Sequence, residues 1–191
     1  MLGAGFDAHV VAGLNPFLKR RLGKGAFVAE TLRQLAVFPF PRYEAIIDGA
    51  AHRAASVVVA KARYYGGAYC CAPAAGLSDP YFHVCLFERP GPLAAARYAH
   101  ALVRGRLAAQ PGYRIVTGSR VRIVGPAGDP VQGDGDIVAA LPVDIDMAPN
   151  GLNLVMPPSG GSDPRHHHAF DAQGRGVDAV AERKVAGRGE V

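Results

Sequence analysis

The 191-residue chain is poor in cysteine, with only Cys70, Cys71 and Cys85. So small and odd a number excludes a disulfide framework, and the spacing fits no zinc pattern. A reducing compartment follows as the expectation, with the chain cytoplasmic. Long hydrophobic runs are also missing: the apolar stretch from Ala54 to Ala60 is interrupted by Ser56. A membrane span needs about 20 apolar residues, so none is expected. Met1 to Gly5 has neither a basic start nor a long apolar segment, so no secretory leader is expected. There is no phosphate-cradling GxxxxGK[ST] loop, and Gly3-Ala4-Gly5 lacks the strand and third glycine of a dinucleotide loop. His9, His52, His83 and His100 are scattered singly, and no serine or cysteine is placed by sequence to form a hydrolase constellation with them.

What is present describes a globular domain, with 49% hydrophobic and 19% charged residues. The net charge of +5 is unevenly placed. Residues 1–160 hold 16 Lys/Arg and 11 Asp/Glu, whereas residues 161–191 hold five of each. A basic folded part suits an anionic partner without choosing among phosphate, nucleic acid and acidic lipid. No aromatic residues interleave with the basic ones, so nucleic acid is the weakest of the three.

Along the chain, Asp7 to Leu14 reads as a short helix halted by Asn15-Pro16. The run Lys19-Arg20-Arg21, with Lys24 after it, is either a solvated helix face or a strip resting on anionic headgroups. Phe27, Val28, Leu32, Leu35 and Ala36 recur at helical spacing, and their apolar stripe reads as core packing. From Tyr43 the period becomes two. Tyr43 to Ile47, the turn Asp48-Gly49, and His52 to Arg63 predict a hairpin. Tyr65-Gly66-Gly67 breaks the pattern, and strands are expected at Tyr69 to Ala72 and Tyr81 to Phe87. Pro92 opens a second helix over Leu93 to Leu107, closed by Pro111-Gly112.

Tyr113 to Val124, Ile137 to Met147 and Leu152 to Met156 read as strands, with Asn150-Gly151 as one more turn. Beyond Pro157 no period survives, and 158–191 is expected to be a flexible tail. Three histidines there, His166 to His168, have no fixed partners that would make them a metal site. The whole predicts an α+β, mainly β fold: an antiparallel β-sandwich over residues 1–157 with two or three helices.

Two carboxylate-bearing turns carry the candidate chemistry. Val131-Gln132-Gly133-Asp134-Gly135-Asp136 contains an Asp-Gly hairpin signal plus a carboxylate that turning the chain does not need. Either it is a plain turn, or it presents Asp136 and Asp134 to a substrate; a general base must lie within hydrogen-bond reach of a substrate hydroxyl. Asp79, in the loop Gly76-Leu77-Ser78-Asp79-Pro80, is either a hydrogen-bonding turn residue or a ligand for a hard cation.

Several of these pieces occur together in one family. Gly3-Ala4-Gly5-Phe6-Asp7-Ala8 and Lys19 to Phe27 resemble the start of the C-terminal domain of diacylglycerol kinase-like lipid kinases, which include the sphingosine kinases. Tyr65-Gly66-Gly67, Ala72-Pro73-Ala74, and Asp79 with Phe82-His83-Val84 are similar to that family's glycine-pair and "P-x-A…D-G-x-L-D-V" region. Val131 to Asp136, Pro142 and Val155-Met156-Pro157 resemble its late "V-D-G-E/D" hairpin. The match runs in order across roughly residues 1–157.

The resemblance implies a β-sandwich that binds a lipid with a free hydroxyl, such as diacylglycerol, and completes an ATP-dependent kinase. Asp136 then matches the general base, with Asp134 and His9 on the substrate side. Asp79 matches a structural Mg²⁺ site, with backbone oxygens of Phe82 and Val84 as its partners. The family's G-G-D-G-T and L-P-x-G-T motifs for ATP are absent, so an ATP-binding half in cis or in trans is expected, and no turnover without it. A peripheral position on the inner membrane face is implied as well. Three departures stand out: His9 where an acid that contacts lipid is common, Lys61 for a frequent Asn, and Pro80 for the Gly after Asp79. A non-catalytic lipid- or membrane-surface binding module is the alternative, motivated by the basic cluster at Lys19 to Lys24.

Overall fold

The structure is a computed structural model that describes residues 1–14 and 24–148, together with the backbone of 169–170 and 176–177. It divides into two units, 1–149 and 150–191. In the second, Ala169–Phe170 (β13) pairs antiparallel with Gly176–Val177 (β14). The expectations for Lys19 to Arg21, the Lys24 side chain, Asn150-Gly151, Leu152 to Met156 and His166 to His168 lie outside the described residues.

The first unit begins with a strand, β1 (Leu2–Gly5), followed directly by α1 (Phe6–Gly13) and then α2 (Lys24–Val37). A β-hairpin, β2 (Tyr43–Ile47) and β3 (Ala50–Ala54), leads to β4 (Ser56–Ala60), the short pair β5 (Tyr64–Tyr65) and β6 (Tyr69–Cys70), and β7 (Phe82–Phe87). After α3 (Pro92–Val103) come β8 (Tyr113–Gly118), β9 (Arg120–Val124), β10 (Pro130–Gly133), β11 (Asp136–Ala140) and β12 (Val143–Asp146). One antiparallel sheet runs β11-β10-β1-β4-β7-β8, and a second runs β12-β9-β2-β3. The expected mainly β, α+β sandwich is what forms.

Side-chain alternation explains how the layers stack. In β4, Val57 and Val59 point into the core between the sheets, while Val58 and Ala60 pack on the opposite face. β7 does the same, with Val84 and Leu86 on one side and Cys85 and Phe87 on the other. These strands are buried on both faces, so they read as unbroken apolar runs rather than alternating ones. The second sheet is covered on one face only: Tyr43, Ala45, Ile47, Val121 and Ile123 face inward. Its outer face carries polar pairs such as Arg122 and Asp144, directly opposed and 2.8 Å apart.

Three expected strands are each divided. The run from His52 to Arg63 breaks at Ala55, whose N–H bonds Phe87 O, so β3 and β4 belong to different sheets. Tyr113 to Val124 breaks at Ser119, held by the Asp48 carboxylate through its N–H at 3.1 Å. Ile137 to Met147 breaks at Leu141 and the cis-linked Pro142. Such corners let one strand pair serve both layers of a sandwich. The second helix is also shorter than expected. It ends at Val103, before Gly105 (φ 65°), and a 3₁₀ turn at Leu107–Ala109 follows. Tyr69 to Ala72 pairs as a strand only at Tyr69–Cys70, because the Cys71 and Ala72 N–H groups both bond Arg63 O.

The apolar stripe expected to pack α2 into the core is corrected. Val28 and Leu32 are 60% and 63% exposed, while Ala26 and Gln34 are the residues buried. Gln34 reaches across to α1, donating from Nε2 to His9 O, which turns that polar face inward. Helical spacing was right; the face was not.

Candidate functional site

The helices do not lie flush on the six-stranded sheet. Between α1, α2, α3 and the sheet is a cavity of about 220 Å³. Its walls are mostly apolar, with Phe6, Val10, Phe27, Phe40, Phe87 and Leu102 among them, and its polar groups include Asp7, Ser56 and Tyr65. Asp7 was not singled out by sequence reasoning, although it is the only acidic residue before Glu30. That isolation, in an otherwise apolar opening segment, was the available signal.

Local backbone chemistry delivers Asp7 to the cavity. Gly5 has φ 105° and an added Cβ would sit 2.6 Å from Ser56 Oγ, so only glycine makes this turn from strand to helix. Ser56 Oγ accepts the N–H of Phe6 at 3.0 Å and begins the helix. Asp7 then falls in the first turn, where helical N–H groups favour a negative charge. Gly3 leaves the space its carboxylate fills: a Cβ there would be 2.3 Å from Asp7 Oδ2.

Asp7 Oδ2 accepts hydrogen bonds from Gln132 Nε2 at 3.0 Å and Tyr65 Oη at 3.4 Å. Oδ1 is buried and has no hydrogen-bond partner among the described residues. Burial pushes the Asp7 carboxyl above its usual range, against the lowering effect of Gln132, the Ala8 N–H and Tyr65. Burial also raises the Tyr65 hydroxyl far beyond its ordinary value, helped by the Asp7 charge, so it remains a donor.

Gln132 links this carboxylate to the hairpin singled out in the sequence. Its Oε1 accepts the Gly135 N–H at 3.0 Å while its Nε2 holds Asp7. The hairpin has the expected two-residue turn: Asp134 and Gly135 sit at φ 49° and 96°, as a twisted β-hairpin requires. A register shift between Val131 and Gln132 marks a bulge beside it, which re-aims the side chains. Asp136 is exposed at the start of β11, opposite Gly133. Asp134 Oδ1 accepts from the Met1 ammonium at 3.1 Å.

His9 is placed elsewhere. It does not line the cavity; its ring packs on Phe38 at 4.7 Å. Its Nε2 is 3.4 Å from Asp129 Oδ2, inside ion-pair range, yet that contact lacks hydrogen-bond geometry. Asp129 Oδ2 instead accepts the Tyr43 hydroxyl at 2.6 Å. The carboxylate in the cavity stands two residues earlier, at Asp7.

The Asp79 loop is a separate arrangement. Asp79 Oδ2 accepts the Gly76 N–H at 2.8 Å and lies 2.9 Å from His83 Nε2. His83 first, then the Gly76 N–H, hold its carboxyl below the usual range. The Lys61 ammonium donates to the Asp79 backbone carbonyl and to Tyr81 O, the latter at 3.5 Å. Phe82 and Val84, the expected partners, stand opposite Gly118 and Val116 in the β7–β8 ladder. A divalent cation beside Asp79 would meet the like charge of the Lys61 ammonium, which already holds the neighbouring Asp79 and Tyr81 carbonyls. The residues present do not fit the expected Mg²⁺. Among the described residues no cluster of three or more metal-binding side chains exists either.

Residues 1–156 match the family model described as the YegS C-terminal NAD kinase beta sandwich-like domain. The chain belongs to that family. No curated protein matches the sequence. A solved structure of a protein assigned as a diacylglycerol kinase from Bacillus anthracis str. Sterne is similar at TM-score 0.56 and 19% identity, over 76% of this chain and 48% of the other. A second, described as a diacylglycerol kinase from the same organism, gives TM-score 0.54 and 19% identity, over 76% and 47%. At this identity these structures show a shared fold, and the chain spans about half of their length. The family placement bears out the resemblance drawn from the sequence to a C-terminal domain of diacylglycerol kinase-like lipid kinases. Among the described residues no helix is long and apolar enough to cross a membrane.

Proposed function

We propose that this domain is the lipid-binding and catalytic-base half of a diacylglycerol kinase-like lipid kinase. One observation carries the reading: the buried carboxylate Asp7 lines an apolar cavity, and its Oδ1 accepts no well-formed hydrogen bond. Burying an unsatisfied acceptor costs free energy, and such a group marks a place where a ligand donor belongs. The cavity takes part of an acyl chain, and a lipid hydroxyl or neighbouring polar group donates to Asp7. Asp136 then removes the proton from the attacking hydroxyl, at the end of a hairpin that Gln132 ties to Asp7. ATP would be bound by a nucleotide-binding half in cis or in trans, because phosphoryl transfer rests on positioning and charge neutralisation around the phosphates.

Binding is tested first on the chain alone, with a fluorescent diacylglycerol analogue in mixed micelles. Saturable binding is expected, weakened by Asp7→Asn and by Ala95→Phe, which fills the cavity. Binding untouched by both substitutions would sink the lipid site. Chemistry is tested by adding a separate nucleotide-binding half, ATP and Mg²⁺. Turnover that survives Asp136→Asn would remove the general-base assignment. The alternative of a non-catalytic membrane-surface module rests on Lys19 to Lys24, and no observation on the described residues favours it.

A further inference from the structure

We propose that the Lys61 ammonium is a built-in cation that holds the Asp79 loop in place of a divalent metal ion. The inference is independent of the lipid reading. It rests on four features of the loop that joins β6 to β7.

First, Lys61 Nζ donates to two backbone carbonyls of the same short segment, Asp79 O and Tyr81 O, 18 and 20 residues away. Convergent carbonyls two residues apart are the kind of oxygen set that binds a hard cation. An ammonium satisfies the same lone pairs with directed hydrogen bonds, and charge-assisted bonds of this sort are among the stronger ones. Second, the position is reached from the end of β4. Ala60 is buried, so the Lys61 stem starts from a rigid strand rather than a free loop.

Third, Asp79 Oδ2 is engaged by the Gly76 N–H in the loop and by the His83 ring on β7, at 2.8 and 2.9 Å. Protein groups thus meet the loop at two backbone carbonyls and at one carboxylate oxygen. Fourth, Pro80 lies between the two carbonyls, fixes its own φ near −65° and has no N–H, so this backbone is stiffened and has one donor fewer. Both carbonyls accept from one cation, and that cation is tethered to β4. Lys61 is a positioning residue: it orders the start of β7, the strand that pairs with both β4 and β8.

The test is thermal unfolding of the full chain, with millimolar Mg²⁺ or Ca²⁺ and with EDTA. The wild-type midpoint should not move with either ion or with chelator. Lys61→Met, which keeps the aliphatic stem and removes the charge, should lower the midpoint by about 3–6 °C. Millimolar Mg²⁺ or Ca²⁺ should then restore at least half of the loss, because the vacated carbonyls become a cation site. If Lys61→Met does not fold, Lys61→Asn is measured in the same way, with the same expectation. Three results would each overturn the proposal: wild-type stabilisation by Mg²⁺ that EDTA reverses, an unchanged midpoint in the charge-removing variant, or a loss that neither ion restores.

Discussion

Asp7 and Asp79 flank opposite ends of one strand. Asp7 follows β1, which leaves β4 at Ser56; Asp79 precedes β7, which meets β4 at Ala60. Asp79 is given more partners than a half-exposed carboxylate needs: a backbone N–H, an imidazole and a nearby ammonium. Asp7 is given fewer than a buried one needs, with Oδ1 left over. Their acidities move in opposite directions for that reason, Asp79 down and Asp7 up. The contrast separates a carboxylate satisfied by its surroundings from one that burial leaves under-satisfied. The first is engaged at Oδ2 by its own loop and by His83 on β7, and the second keeps Oδ1 without a well-formed hydrogen bond.

The largest effect that would break this contrast is at Gln132, which is 1% exposed and serves both Asp7 and the Gly135 N–H. Gln132→Leu should destabilise the domain by about 2–3 kcal/mol, because it strands a buried carboxylate and a backbone donor together. Chemical denaturation would measure it, and a loss below about 0.5 kcal/mol would mean that the linkage to the hairpin is slack.

Asp7→Asn should act in the other direction. A folded carboxyl raised above its unfolded value costs stability once pH exceeds the unfolded value, and the cost grows until the folded value is passed. Removing the charge should therefore raise the melting midpoint at pH 7 by about 2–4 °C, while weakening lipid binding. The gain should shrink towards pH 3, below the unfolded value of about 3.9, where both states hold the proton. A midpoint gain that is the same at pH 3 and pH 7 would contradict burial as the cause.

Asp79→Asn should be smaller. Its lowered carboxyl contributes stability above the unfolded value and loses it as pH falls through the folded one. Solvent reaches this pair, so a midpoint loss under about 2 °C at neutral pH is expected, absent in strong acid. Asp134→Asn should be smaller still, under about 1 °C, since its partner is a terminal ammonium at an exposed turn and Asn tolerates the same positive φ. An effect larger than that of Asp7→Asn would move attention from the cavity to the turn.

Much of the sandwich was legible because its signals are local. The turns at Asp48-Gly49 and Asp134-Gly135 need left-handed residues, and the sequence has them at the position where φ is positive. The corners at Ala55, Ser119 and Leu141 were not legible, because side-chain alternation continues through a strand whether or not it changes sheets. The face of α2 was misread for a related reason. Period alone says that a stripe exists, and only the neighbour α1 decides which stripe is covered.

Of the candidate site, the sequence by itself determined the hairpin at Val131 to Asp136, the Asp79 loop, and the order of motifs that places the chain in its family. These depend on residue type and short spacing, which folding does not alter. The tertiary structure decided that Asp7 rather than His9 faces the cavity, that Gln132 couples it to a turn 125 residues away, and that Lys61 reaches the Asp79 carbonyls. Each of those depends on which strands become neighbours, and strand order is set by burial of the whole core rather than by any stretch of the chain.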